Sequence, residues 1–248
     1  MAADPISRLE AFVHERWAVA HSRIVPGASQ QPHVSPLVTQ TEARHFLACV
    51  APDGPGSPLL VVDDEGKERS DRCPRLGNES PRGYNFFEAP GRLRLETVVQ
   101  WAALSRLRYE FGWPREHLVC ESPDLVEGGQ RLLRYEALDI LLLEEPCPIP
   151  TAKMSREAVR SRVAVEAKDT AEKLDRMLAN IRACQKGGML RSHPPTEHKK
   201  CLAIEVLRPR FFLGVAAGET WRLFSVQEVS GHAALGEELA DLDALHFA

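Results

Sequence analysis

Apolar residues recur at helical spacing in two stretches of this chain and cluster at strand spacing in several shorter ones. Ile6, Leu9, Phe12, Val13 and Trp17 make one apolar face behind Asp4-Pro5. An acidic N-cap followed by proline in the first turn predicts a helix reaching about residue 20. Leu95, Val98, Val99, Ala102, Leu104 and Leu107 repeat the pattern, predicting an amphipathic helix over 93–111 that Gly112-Trp113-Pro114 ends. A third helix is expected over 170–184, closed by Gly187-Gly188. Strands are expected at 45–50, 58–62, 117–121, 134–143, 163–168, 202–207, 210–215 and 220–226. Turns at 53–56, 127–129 and 217–219 separate some of them. Residues 25–39 and 63–82 read as loops, and 145–160 as a loop with room for a short helix. This order predicts a mixed α/β fold, with a mixed sheet flanked by helices.

Two of these strands carry charge where apolar residues dominate. Asp139 lies within Ala137-Leu138-Asp139-Ile140-Leu141-Leu142-Leu143, and Glu166 and Lys168 end Val163-Ala164-Val165-Glu166-Ala167-Lys168. An unpaired buried charge costs several kcal/mol, so each needs a partner. Residues i and i+2 of a strand share a face, so Glu166 and Lys168 point together, with Val163, Val165 and Ala167 on the opposite face. Two carboxylates on neighbouring strands suit Mg²⁺, which takes few protein carboxylates and keeps water. A lysine beside them suits chemistry on a phosphate. An ion pair at a sheet edge, with no metal, is the alternative that these residues leave open.

With 24 Glu and 7 Lys in 248 residues, Glu-x-Lys is commonplace by itself, and it occurs three times. Glu65-Gly66-Lys67 falls in a turn and Glu197-His198-Lys199 in a loop after Pro194-Pro195, whereas Glu166-Ala167-Lys168 ends a strand-forming run.

Composition narrows the classes. Net charge is -4, which argues against a bulk electrostatic DNA binder. The charge is uneven: residues 151–222 hold 15 Lys/Arg against 8 Asp/Glu, a balance of +7, and 223–248 hold 5 acids with no Lys or Arg. Positive potential is therefore expected around the Glu166 strand, where it would draw phosphates. Six scattered cysteines without a Cys-x-x-Cys pair read as reduced thiols. No apolar run reaches the roughly 20 residues of a membrane span, and no secretory signal opens the chain, so a cytoplasmic protein with no membrane partner is expected. No phosphate-cradling Gly-x-x-x-x-Gly-Lys-Ser/Thr loop occurs. His193 and His198 read as surface residues, and Trp101, Trp113 and Trp221 as core.

Residues 92–226 resemble the N-terminal nuclease domain of the restriction subunit of type I restriction-modification enzymes, in the PD-(D/E)xK (restriction-endonuclease-like) superfamily. Leu95-Glu96-Thr97-Val98-Val99 with Phe111-Gly112-Trp113-Pro114 resembles the opening helix and its exit. Arg134-Tyr135-Glu136-Ala137-Leu138-Asp139-Ile140 and Val165-Glu166-Ala167-Lys168 resemble the two acidic strands, and residues 214–224 the closing hairpin. Leu138 stands where the family often has proline, and the family's Gln-x-x-x-Tyr on the next helix is absent, leaving Arg176, Asn180 or Arg182 as candidate phosphate contacts.

The resemblance implies a restriction-endonuclease-like domain over 91–226, preceded by an α+β extension (1–90) and followed by an acidic tail (227–248). It implies a metal-dependent DNA endonuclease in restriction or defence against foreign DNA, using Mg²⁺ or Mn²⁺. Asp139 and Glu166, with the Ala167 carbonyl, would hold the metal. Lys168 would be the catalytic lysine and Glu96 an accessory acid. DNA is the expected partner, with a motor or restriction-system protein in trans, and a homodimer for cutting both strands, left open. So is RNA as substrate, and so is an inactive module that keeps the fold and binds nucleic acid or a protein.

Overall fold

The computed structural model describes residues 3–16, 33–50, 57–62, 68–74, 87–88, 92–134, 137–147, 149–186 and 195–247. Among these, a six-stranded mixed sheet forms the centre. Its strands are β5 (Leu118–Cys120), β8 (Ile140–Leu143), β10 (Ser161–Lys168), β11 (Phe211–Ala216), β12 (Thr220–Val229) and β13 (His232–Glu238), in the spatial order β13-β12-β11-β10-β8-β5. Only β10 and β11 run parallel; every other neighbouring pair in this sheet is antiparallel. Four two-residue strands precede it, β1 (Val61–Val62), β2 (Glu68–Arg69), β3 (Phe87–Glu88) and β4 (Arg92–Leu93). A small second sheet joins β6 (Asp124–Glu127), β7 (Gln130–Leu133) and β9 (Lys153–Ser155).

Helices cover both faces. On one side, α1 (Pro5–Arg16), α2 (Gln40–Val50) and α3 (Leu95–Tyr109) share a core with Val163, Val165 and Ala167 of β10 and Leu213 and Val215 of β11. On the other, α4 (Ala171–Lys186) and α5 (Pro195–Leu207) pack on Ala164, Phe212 and Ala216. The parity of β10 therefore assigns Val163, Val165 and Ala167 to the α3 side, as the alternation predicts, and each face is buried by a separate helical layer. No helix among the described residues is long and apolar enough to cross a membrane.

Two segments expected as strands are helical. Residues 45–50 belong to α2, and Ala43, Phe46, Leu47 and Cys49 are buried at helical spacing. The start signal is a capping box: Thr39 N donates to Glu42 Oε2, and Glu42 N to Thr39 Oγ1. Residues 202–207 belong to α5, which begins on proline. Cys201, Ala203, Ile204 and Leu207 are buried, while Leu202 and Val206 are only partly so; a strand would bury 202, 204 and 206 instead. Short apolar runs of this kind fit either period, and packing against α4 decides.

Smaller differences concern boundaries. Of the strand expected over 58–62, only Val61–Val62 pairs, with Glu68–Arg69. The strand expected from Arg134 begins at Ile140, so Asp139 immediately precedes it. The 145–160 loop holds β9 and a 3-10 turn at Arg156–Ala158. The stretch read as an acidic tail supplies β13 and the last three residues of β12, then a 3-10 turn at Asp243–Leu245 whose Leu245 carbonyl accepts from Trp113 Nε1 at 2.6 Å. The segment ahead of residue 91 is tied to the sheet as well, since Cys120 N donates to Arg72 O at 2.7 Å. Trp17, the 53–56 turn, Gly187-Gly188 and His193 lie outside the described residues. All six cysteines are buried thiols outside any disulfide; Trp101 and Trp113 are core, while Trp221 is only partly buried against it.

Candidate metal centre

The site grows from the way β8 and β10 pair. Val165 and Ile140 are register partners, and backbone pairing continues one step further, with Asp139 N donating to Val165 O at 3.2 Å. There β8 has ended, and the Asp139 side chain takes over: its Oδ2 accepts from Ala167 N at 2.7 Å. Two backbone donors anchor the segment before it, because Ser122 Oγ accepts from Ala137 N at 2.9 Å and from Leu138 N at 3.1 Å. The Asp139 carbonyl accepts from Glu121 N at 2.7 Å and from Gln100 Nε2 at 3.1 Å. Glu121 itself takes φ 63°, left-handed backbone that a non-glycine residue adopts uncommonly, and its Oε1 also accepts from Gln100 at 3.1 Å.

On β10, Glu166 projects to the α4/α5 side and is only 1% exposed. Lys168, at the strand end, reaches three oxygens with one ammonium: Glu166 Oε1, Glu96 Oε1 and the Ala167 carbonyl, each at 2.7 Å. Glu96 comes from the first turn of α3 and is about half exposed. It sits one helical turn before Gln100, so one face of α3 presents both residues to the site. The other oxygen of Glu166, Oε2, is buried and has no hydrogen-bond partner. Glu96, Asp139 and Glu166 each offer an oxygen within 4.8 Å of the others'.

The structure thus brings together the five residues expected at the metal site: Asp139, Glu166, Ala167, Lys168 and Glu96. Two contributors were missed. Lys200, on α5, forms a second ion pair with Glu166 Oε1 and lies 3.4 Å from the Ala137 carbonyl. It was passed over because its segment reads as loop and strand; only the helical period of α5 puts Lys200 on the same buried face as Ala203 and Ile204. Gln100 was absorbed into the apolar helix pattern, although its four-residue spacing from Glu96 was visible. His198 lies on α5, and Arg176, Asn180 and Arg182 lie on α4. Arg182 stacks over Phe224.

The charges interact strongly. Burial first, and then the neighbouring Glu166 carboxylate, push the Asp139 carboxyl well above the usual range. Burial also opposes ionisation of Glu166, but Lys200 and Lys168 outweigh it and hold this carboxyl below its ordinary value. For Lys168, burial disfavours the ammonium, while Glu166, Asp139 and Glu96 more than compensate and raise its pKa above that of a free lysine. Three acids and two lysines therefore form one coupled network.

These donors suit a hard divalent cation. All are oxygens, they come from three separate elements plus a backbone carbonyl, and one buried carboxylate oxygen is unpartnered. Comparison with known proteins yields no match to any family model, to any curated protein or to any solved structure.

Proposed function

We propose that this chain is a divalent-cation-dependent DNA endonuclease with a restriction-endonuclease-like fold. One observation carries the reading: three carboxylates and a lysine, drawn from α3, the start of β8 and the end of β10, converge on one cluster of oxygens. The mixed sheet with helices on both faces agrees with the fold that the sequence motifs imply, and the basic balance of residues 151–222 favours a polyanionic substrate.

Asp139, Glu166 and the Ala167 carbonyl would hold Mg²⁺ or Mn²⁺, with Glu96 as accessory acid. Such an ion, when bound, polarises the phosphoryl oxygen and lowers the pKa of a coordinated water. Lys168 has a different task. In the metal-free chain Glu166, Asp139 and Glu96 raise its pKa and keep it an ammonium. That ammonium stabilises negative charge developing on the scissile phosphate. Asp139 keeps its orientation through Ala167 N, Val165 O and Gln100, which limits the rearrangement needed during the reaction. A setting in restriction or defence, with a motor protein in trans or a second copy of the chain, follows from the family resemblance alone.

A second reading, an inactive module that binds nucleic acid or a protein, is favoured by one feature: Lys168 and Lys200 already neutralise Glu166 without a metal. Plasmid cleavage with Mg²⁺ or Mn²⁺ separates the two. Cutting that disappears in both Asp139→Ala and Lys168→Ala supports the enzyme. DNA binding without cutting under either metal supports the module.

A further inference from the structure

Lys168 and Lys200 approach Glu166 Oε1 from different elements and with different freedom. Lys168 sits at the strand end, is 19% exposed, and contacts Glu96, Glu166 and the Ala167 carbonyl. Glu96 and Glu166 are also carboxylates that a metal ion would use, so the ammonium and the ion would share them. If Lys168 turns outward to a substrate phosphate, Glu166 loses one of its two ammonium partners. Glu166 is then left 1% exposed, where water cannot replace the lost partner.

Lys200 shares Glu166 Oε1 with Lys168 but reaches it from the α5 side. Its side chain is 9% exposed, and it reaches Glu166 from α5 while also touching the Ala137 carbonyl, two residues before Asp139. Its neighbour Lys199 is exposed, as a lysine ordinarily is, whereas Lys200 is turned into the interior beside Ala203 and Ile204. One ammonium thus links the two segments that carry Asp139 and Glu166.

We propose that Lys200 is a positioning residue for the metal centre: it holds the Glu166 carboxylate from the buried side while Lys168 leaves it for the phosphate. The proposal rests on the nuclease reading. It gives the site a division of labour, with one lysine mobile toward substrate and one fixed behind the ligand.

The test combines Mn²⁺ binding, followed by calorimetry, with single-turnover cleavage of plasmid DNA, on the full chain and on Lys200→Met, Lys200→Gln and Lys200→Arg. Partners that orient metal ligands typically contribute about 10- to 100-fold to affinity or activity. Lys200→Met and Lys200→Gln are expected to weaken Mn²⁺ binding and slow cleavage by about that factor at a temperature where both are fully folded, and Lys200→Arg to recover most of the loss. Gln keeps a donor toward Glu166 and covers the case in which Met does not fold. Folded variants that bind Mn²⁺ and cut within about twofold of the parent overturn the proposal, being far short of an orienting effect. So does a chain that cannot fold without this charge, which would make Lys200 structural only. A parent chain that neither binds Mn²⁺ nor cuts is a separate outcome: it overturns the nuclease reading and takes this proposal with it.

Discussion

Ala167 N donates a 2.7 Å hydrogen bond to Asp139 Oδ2, and this bond builds the candidate site at the end of a strand pair. The backbone of Asp139 still pairs with β10, but its side chain replaces the next rung of the ladder. The acid is therefore fixed beside Glu166, a like charge, in a buried setting.

The proximity of those acids stores unfavourable free energy in the metal-free chain. A carboxyl whose pKa is higher folded than unfolded binds its proton more tightly when folded. Its contribution is complete below the ordinary aspartate value and is lost as pH rises through the folded value. Asp139→Asn keeps an acceptor for Ala167 N and removes the charge. In EDTA at pH 7 this variant should melt at a higher temperature than the parent, with the difference shrinking at pH 4, while cleavage is abolished. Calorimetric melting at the two pH values checks this; an unchanged or lower melting temperature at pH 7 contradicts the electrostatic account.

Metal binding should depend on pH for the same reason. A cation competes with the proton on Asp139, so Mn²⁺ affinity should rise with pH through the raised Asp139 value, and binding should release protons. Calorimetry in buffers of different ionisation enthalpy measures that release. Affinity that is flat across the acid range would exclude Asp139 as a ligand.

Lys168→Met separates binding from chemistry. The ammonium occupies oxygens that a cation needs, so its loss should leave Mn²⁺ affinity equal or tighter. Cleavage should nevertheless fall by about 10²- to 10⁴-fold, the range for removing a positioned catalytic group. Weaker Mn²⁺ binding in this variant would mean that Lys168 organises the carboxylates rather than acting on substrate.

The C-terminal residues should behave as part of the fold. Trp113 Nε1 donates to Leu245 O, and Phe247 N to Phe111 O at 2.9 Å, with the Trp113 and Phe247 rings 5.1 Å apart. Ending the chain after Leu239 leaves a buried indole donor unpaired, which costs about 1–3 kcal/mol. Urea unfolding should show that loss, and tryptophan emission should shift to the red. Stability equal to the parent's would make the segment a dispensable tail.

Legibility followed periodicity. The long patterns of α1 and α3 were readable because an apolar face repeated over several turns admits one period. The 45–50 and 202–207 runs were too short for that, and partners far along the chain set their state: α3 for the first, α4 for the second. Gly112-Trp113-Pro114 ended its helix as expected, whereas the Thr39/Glu42 box, equally visible, was overlooked.

The site divides in the same way. Local sequence alone determines that Glu166 and Lys168 share a face, because strand geometry fixes i and i+2, and that an acid inside an apolar run needs a counterpart. The apolar run around Asp139 marked it as a second acid, and the family resemblance alone named Glu96. Only the tertiary structure decides that they meet, since β8 must end at Ile140 for the Asp139 side chain to reach Ala167, and α3 must cross the strand end to deliver Glu96. Lys200 belongs wholly to the second category. Nothing in its neighbours along the chain marks it; the winding of α5 and its packing in one core with α4 turn an ordinary lysine into the buried partner of Glu166.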